Sequence, residues 1–330
     1  MSIGRVTTAQ MWSSSNANIQ AAKARLSELS DRSSSGLAVA KASDDPVAAA
    51  AILKVRGQQN ANTQYATNIS DGLGWLATTD SAMSASENLV RQAKDLAIQA
   101  GNSGTASPAS REAVAKQLEG VRDGLLAQAN AQYNGRSVFA GTSDAATAFD
   151  PTTFAYAGAS TPAPGGTGTP PPPVNTLGPV QRRIGPSGTD VVTVSADGMA
   201  AFGTGDTSVF KRIQDVIDAL RDPGYDADVV DPATGTTPKQ AVTGGIDQLG
   251  AALTNLSAQH AVVGANYARM TSAKTQNATT ATALETQRSG LQDADTTKTL
   301  LELKTQELAY QTALQVTATV LQPTLMSFLS

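Results

Sequence analysis

The most regular apolar pattern of the chain lies near its end, between residues 300 and 329. Large apolar side chains recur there at intervals of three, four and seven, which is the spacing of one face of an α-helix. The stripe consists of Leu303, Tyr310, Leu314, Leu321, Leu325 and Phe328, with Ala309, Ala313, Val316 and Val320 beside them. The pattern predicts a helix with an apolar face, interrupted by Pro323 only in its last turns.

The beginning of the chain carries a matching stripe on a helix predicted over residues 5–34. Its apolar positions follow a heptad pattern and are Trp12, Ile19, Ala22, Leu26 and Leu29. Both stripes are thin, and covering so few side chains does not offset the conformational entropy lost in ordering a helix. We therefore expect the two helices to pair with each other and with neighbouring copies, and to be marginal alone. From the residues alone, ordinary packing within one chain explains the stripes equally well.

Local signals mark where the helices of the first half begin and end. Gly36 follows a serine run and predicts the end of the first helix. The string Ser43-Asp44-Asp45-Pro46 predicts the start of a second helix, which the apolar pattern extends over residues 45–100. A third helix is predicted over residues 108–129.

Two further helices are predicted in the second half, over residues 208–220 and 240–288, from the same helical spacing. Inside the second helix of the chain, Gly72 and Gly74 are each expected to cost about 1 kcal/mol relative to alanine. The helices of the first half lead away from the N-terminus and those of the second half lead back. This order predicts an elongated bundle with both termini at one end.

The composition changes between residues 142 and 205, where Gly, Pro and Thr dominate and no helical period remains. Short strands are predicted at 137–141, 180–184 and 191–194. A loop over 161–173 contains four consecutive prolines, which favour an extended polyproline II conformation. These features predict a small β-rich module.

Together these patterns predict a mainly α fold with a small β insert. We expect the N- and C-terminal helices, over 1–42 and 289–330, to pair in a coiled-coil-like arrangement. A helical rod domain would comprise 43–141 and 206–288, and a β-rich outer insert with a Pro/Gly-rich loop would comprise 142–205.

The charge and cysteine content exclude several classes of function. The chain has 330 residues and a net charge of −4, which argues against nucleic acid or an anionic membrane as a partner. It has no cysteine, so disulfides and thiolate chemistry are excluded. No apolar run approaches the ~18 residues of a membrane span. No apolar segment with a cleavage-site pattern follows the start, so we expect no cleaved signal peptide.

The candidate chemical groups have simple structural explanations. His260 is the only histidine, and one histidine without cysteine lacks the ligands of an ordinary zinc site. We expect it to face solvent or an interface. The aspartates Asp44 and Asp45 fit a helix start, and Asp293 and Asp295 fit a turn or a helix cap rather than acid–base catalysis.

Two other motifs point only weakly to ligands. Gly203-Thr204-Gly205 precedes a helix, but Ser208 stands where a phosphate-binding loop has its third glycine. The doublet Arg182-Arg183 lies on a predicted surface strand and is expected to be solvated. We predict no cofactor, no metal and no catalytic site.

Four strings resemble the flagellin superfamily and, within it, the hook-associated protein 3 branch. The likeness covers roughly residues 1–141 and 206–330, while 142–205 matches loosely. The string with Pro46 after the paired aspartates is typical of that branch. The strings are Arg5-Val-Thr-Thr8, Ser43-Asp-Asp-Pro-Val-Ala-Ala49, Tyr133-Asn-Gly-Arg-Ser-Val-Phe-Ala-Gly141 and Leu301-Glu-Leu-Lys-Thr-Gln-Glu-Leu-Ala-Tyr-Gln311.

The resemblance implies a non-enzymatic structural subunit of the bacterial flagellum that joins the hook to the filament. It implies an extracellular position, reached through the flagellar type III export channel. The implied partners are copies of the chain in a ring, a hook-associated protein on the hook side, flagellin on the filament side, and an export chaperone on the C-terminal region. Neither nucleic acid nor a membrane is expected as a partner.

Self-assembly is predicted to depend on the large side chains of the two terminal stripes, which would bury apolar surface between the arms and between neighbours. A flagellin that forms the bulk of a filament is the nearest alternative. A secreted protein whose β insert binds a surface ligand is a second one. The predicted assembly residues are Trp12, Ile19, Leu26, Leu29, Leu303, Tyr310, Leu314, Leu321 and Phe328.

Overall fold

The structure is a computed structural model that describes residues 8–102, 107–143, 145–158, 178–225, 227, 229–230 and 235–320. The predicted loop over 161–173 and the assembly residues Leu321 and Phe328 lie outside the described residues. Within these, seven α-helices form: α1 (Thr8–Ser35), α2 (Pro46–Asn102), α3 (Pro108–Ala129), α4 (Gly198–Phe202), α5 (Val209–Arg221), α6 (Pro238–Gln292) and α7 (Thr296–Val320). The four strands are β1 (Gln132–Tyr133), β2 (Arg136–Ser137), β3 (Gln181–Arg183) and β4 (Val191–Thr193).

The prediction of a mainly α fold with a small β portion is confirmed. The described residues divide into two compact units. The first unit combines the residues up to Ala61 with those from Thr280 onward, and so contains α1, α7, the start of α2 and the end of α6. The second unit comprises residues 62–279.

The predicted starts and stops of helices in the first unit are confirmed by their hydrogen bonds. Gly36 ends α1 with a φ of 69°, and its amide donates to the Arg32 carbonyl at 3.0 Å. Asp45 caps α2, since its carboxylate accepts the amides of residues 47 and 48 at 2.9 Å each. Asp295 caps α7 by accepting the Lys298 amide at 3.0 Å. Both caps satisfy amides that a helix start leaves without partners.

A short backbone pairing joins the end of α1 to the end of α6 inside the first unit. The Ala38 amide donates to the Gln292 carbonyl at 2.8 Å, and the Ala294 amide donates to the Gly36 carbonyl at 2.8 Å. The Arg288 side chain reinforces the junction by donating to Gln292 at 3.0 Å and to Asp293 at 3.2 Å. These contacts fix the point at which the chain turns from α6 into α7.

The large core of the molecule lies in the second unit, where the apolar faces of α2, α3, α5 and α6 are buried. Tyr267 of α6 is exposed. Outside this core, Arg221 of α5 forms ion pairs with two carboxylates of α3, Glu112 at 2.8 Å and Glu119 at 2.6 Å. The buried faces include Ile69, Leu76, Met83 and Val90 of α2, Leu118 and Leu125 of α3, Ile213 and Ile217 of α5, and Leu249, Leu256 and Met270 of α6.

The region predicted as an insert contributes an aromatic cluster to this core. Phe149 lies 5.2 Å from Phe210 of α5 and 5.6 Å from Phe202, measured between ring centroids. Phe139 lies 5.2 Å from Phe202, and Phe154 lies 5.8 Å from Phe210, which completes the cluster. The cluster makes the core continuous from the region 142–205 into α5. Five rings in edge and stacked contacts bury a large apolar area.

The strands form two antiparallel hairpins. β1 pairs with β2 around Asn134 and Gly135, whose positive φ values of 49° and 77° fit the tight turn that this dipeptide favours. β3 and β4 lie within the predicted strands 180–184 and 191–194, and they pair with Arg182 opposite Val192. The strand predicted over 137–141 is wrong beyond Ser137, because the next three residues bend into the buried core instead of pairing. The short helix α4 was not predicted, since five residues are too few to display a helical period.

Candidate assembly surfaces

The terminal helices α1 and α7 pack against each other in antiparallel orientation, which confirms the predicted pairing. The Ser15 and Thr317 hydroxyls share a hydrogen bond near one end, and the Gln306 side chain donates to the Ala22 carbonyl at 3.3 Å further along. We call the contacting line the seam. It comprises the partly covered residues Ser15, Ile19, Ala22, Leu26 and Leu29 of α1, and Leu303, Gln306, Tyr310, Ala313 and Thr317 of α7.

The seam has the alternating three- and four-residue spacing of a coiled coil on both helices. Its side chains are nevertheless only half-buried, whereas the core of the second unit is fully buried. Small residues such as Ala313 leave an open hollow on the seam that Ile19 and Val316 also line. Two helices alone therefore cover this apolar surface incompletely, and the hollow leaves room for side chains from a third element.

The structure places the predicted assembly residues in three groups. Five of them lie in the seam: Ile19, Leu26, Leu29, Leu303 and Tyr310. Trp12 and Leu314 are exposed, although the sequence placed them on the same stripes. Leu321 and Phe328 are outside the described residues. Leu314 follows Ala313 of the seam, so its side chain is turned about 100° away from it around the helix.

Sequence reasoning missed a second apolar face on α7. Leu301 and Leu308 are 69% and 65% exposed, and we call them the outer stripe. Leu308 precedes Tyr310 of the seam by two residues, which puts the two side chains about 200° apart around the helix. The two leucines lie seven residues apart, but neither belongs to the stripe predicted from the sequence. Helix α7 is therefore apolar on two opposite faces.

The ion pairs of the terminal helices run along one helix each. Arg32 pairs with Glu28 at 2.8 Å on α1, and Lys304 pairs with Glu307 at 2.8 Å on α7. Exposed pairs with this spacing contribute only a few tenths of a kcal/mol. Apolar contact, rather than charge, is what these two helices offer to a partner.

The remaining candidate groups are engaged in structural contacts, as expected for the aspartates. Asp44 accepts the Lys41 amide at 2.9 Å and the Ala40 amide at 3.1 Å, and the Lys41 bond is the main cause that lowers the pKa of its carboxyl. The Gly203–Gly205 loop is used internally too. Thr204 accepts the Tyr156 amide at 2.9 Å, and the Gly205 amide donates to the Phe154 carbonyl at 3.0 Å.

Of the arginine doublet on β3, Arg182 is partly covered, whereas Arg183 is exposed as expected. Arg182 donates to Asp71 at 2.6 Å and lies over Trp75, with its guanidinium carbon 5.9 Å from the ring centroid. Arg183 donates to the carbonyls of Gly185 at 3.0 Å and Pro186 at 2.6 Å. Both side chains therefore stabilise the hairpin and its contact with α2.

His260 of α6 lies between two carboxylates of α2. Its Nδ1 is 2.9 Å from Glu87 Oε1, and its Nε2 is 3.0 Å from Asp80 Oδ1. Burial opposes the charged form of the ring, but the two carboxylates outweigh burial and raise the pKa of His260. His260 was expected to face solvent or an interface, and it lies at the interface between α2 and α6.

Within the described part of the chain, no group of three His, Asp or Glu residues is arranged to hold a metal ion. None of the helices in that part is long and apolar enough to cross a membrane.

Sequence profiles of a known family match both ends of the chain. The bacterial flagellin N-terminal helical region matches residues 6–144, and the bacterial flagellin C-terminal helical region matches residues 246–329. The two matches together span more than half of the chain. The chain belongs to the flagellin family.

Curated relatives of this flagellin-family chain match over part of their length. The flagellar hook-associated protein 3 of Salmonella typhimurium is 32% identical over 155 residues, which are 47% of this chain and 49% of that protein. The flagellin of Bacillus subtilis is 27% identical over 114 residues, which are 34% of this chain and 38% of that protein. The chain thus spans about half or less of the length of these relatives.

The fold also occurs in a solved structure. A putative flagellar hook-associated protein from Vibrio parahaemolyticus superposes with a TM-score of 0.60 at 15% identity, covering 76% of this chain and 100% of that one. At this identity the likeness establishes the fold alone.

Proposed function

We propose that this chain is a structural subunit of the bacterial flagellum that joins the hook to the filament and performs no catalysis. The observation that carries the proposal is the terminal helix pair, which exposes the outer stripe and leaves its seam half-covered. Apolar side chains in such a pattern gain free energy when neighbouring subunits cover them. The likeness to the Salmonella hook-associated protein 3 supports the position at the junction.

In this proposal the nine predicted residues and the outer stripe together form the assembly surface. Copies of the chain would form a ring through their terminal helices, with a second hook-associated protein on the hook side and flagellin on the filament side. An export chaperone would cover the C-terminal region before assembly, and export would proceed through the flagellar type III channel. The terminal helices over 1–42 and 289–330 would form the inner assembly layer, and the region 142–205 would face outward.

The experiment that tests the proposal is localisation of the tagged full-length chain on isolated flagella. A junction protein labels a single band at the base of each filament, in about a ring's worth of copies. Label along the whole shaft would overturn the junction assignment in favour of flagellin. Label absent from flagella would overturn both.

Flagellin is the second candidate, because the Bacillus subtilis flagellin also matches the chain. Purified flagellin adds to itself and forms long filaments, whereas the proposed junction subunit is expected to add to existing ends and stop. Seeded polymerisation followed by light scattering separates the two, since only a flagellin gives growth that continues with time.

A further inference from the structure

The contact of His260 with α2 has a geometry that only one protonation state satisfies. Asp80 and Glu87 are seven residues apart, about 10 Å along α2, so they lie on the same face of the helix. The imidazole of His260 fits between them, with one nitrogen at 2.9 Å from Glu87 and the other at 3.0 Å from Asp80. A neutral imidazole has one N–H and can donate to only one of them, whereas an imidazolium donates to both.

We propose that His260 is a pH-dependent clasp between α2 and α6, which holds both carboxylates when protonated and releases one of them when it loses its proton. The contact lies inside the second unit, whereas the assembly surfaces belong to the first unit. Its failure would leave the proposed function untouched.

The other groups at the clasp favour the same arrangement. Arg91, one turn further along α2, pairs with Glu87 at 2.7 Å, and the Ser257 hydroxyl of α6 also hydrogen-bonds to Glu87. These contacts hold Glu87 in place and keep it ionised, since they help lower its pKa although burial opposes this. Asp80 is 54% exposed and meets the ring from the solvent side, so it is the carboxylate that a neutral ring would release.

The pH range in which the clasp is stable follows from the directions in which the pKa values of His260 and Glu87 are shifted. The pKa of His260 is raised, so the stabilisation by the clasp is fully present below its ordinary value of 6.5 and is lost as the pH rises through the raised pKa. The pKa of Glu87 is lowered, so its contribution is present above 4.5 and is lost as the pH falls through the lowered pKa. The clasp is therefore strongest between these two ordinary values.

The direct test is an NMR titration of the imidazole nitrogens in the full-length chain, where His260 is the only histidine. We expect a midpoint above 6.5, and a lower midpoint in Asp80→Asn, which removes one facing charge. Asp95→Asn is the matched control. Asp95 is an exposed carboxylate of the same helix, roughly 12 Å beyond Glu87, and its removal should leave the midpoint almost unchanged. A midpoint at or below 6.5, or equal effects of the two variants, would overturn the proposal.

Urea unfolding gives an independent readout. We expect the midpoint difference between wild type and His260→Gln to be largest near about pH 5.5 and to shrink as the pH rises through the raised pKa. A difference that stays constant over this range contradicts the clasp. Should His260→Gln not fold, Asp80→Asn supplies the same comparison, because that side chain lies largely in solvent.

Discussion

Tyr133 occupies the space that a side chain at position 74 would need. A Cβ built on Gly74 would meet the Tyr133 hydroxyl and lie 2.8 Å from its ring carbon Cζ, closer than real contacts allow. The ring cannot move freely, because it packs edge-on against Trp75 at 5.9 Å between centroids. The glycine that looked like a weak point of α2 is therefore required for close packing.

We predict that Gly74→Ala destabilises the second unit by about 1–3 kcal/mol, the usual cost of forcing extra atoms into a packed site. The matched control is Gly120→Ala. Gly120 lies in α3 with open space around its Cα, so alanine there should stabilise by about 0.5–1 kcal/mol. Urea unfolding followed by circular dichroism measures both, and a stabilised Gly74→Ala variant would contradict the packing.

At this scale, the sequence predicted local roles well and long-range roles poorly. The caps at Asp45 and Asp295 and the stop at Gly36 depend on backbone groups within four residues, so their strings suffice to predict them. Gly74 depends on a residue 59 positions away, and His260 depends on carboxylates 173 and 180 positions away. No local pattern contains that information.

Helix α7 is apolar on two opposite faces. The seam faces α1, while the outer stripe of Leu301 and Leu308 has no cover among the described residues. The periodicity predicted the helix and its pairing, but the predicted stripe leaves out the two leucines of the outer stripe. Only the register of α1 against α7 decides which face of α7 contacts α1.

We predict that the double variant Leu301→Ser with Leu308→Ser keeps α7 paired with α1 but no longer supports assembly. Circular dichroism should match wild type, because the seam lies on the other face. Incorporation at the junction should be lost in cells that lack the wild-type chain. The control is Thr305→Ser with Thr312→Ser, two milder changes on the same helix. Normal incorporation of the leucine variant would contradict the role of the outer stripe.

Helix α5 is the element on which the aromatic cluster is built. Phe210 contacts Phe149, Phe154 and Phe202 with centroid distances of 5.2 to 5.8 Å and is fully buried. The apolar face of α5 was evident from its spacing. Its partners were not, because they come from the Gly/Pro-rich region whose sequence contains no period.

We predict that Phe210→Ala destabilises the second unit by about 3–5 kcal/mol, since it leaves a large cavity among three rings. Phe210→Leu should cost clearly less because it fills most of that space. Equilibrium unfolding monitored by near-ultraviolet circular dichroism tests the pair. Equal, small effects of both substitutions would show that the cluster is not part of the core.

On the scale of the whole molecule, the two units have different degrees of burial. The main apolar core runs from Ile69 to Met270 and lies entirely in the second unit. In the first unit, the apolar side chains of α1 and α7 are half-covered or exposed among the described residues, and the start of α2 adds the buried side chains of Ile52 and Val55. A unit of this kind has low stability alone and gains stability from neighbours. The second unit is stable by its own core.

Amide hydrogen exchange of the full-length chain, free in dilute solution and assembled in flagella, tests this account most directly. In the free chain we expect rapid exchange along α1 and α7 and slow exchange in the buried helices of the second unit. After assembly, α1 and α7 should become protected to a similar degree. Terminal helices already as protected in the free chain as α2 and α6 would contradict the account.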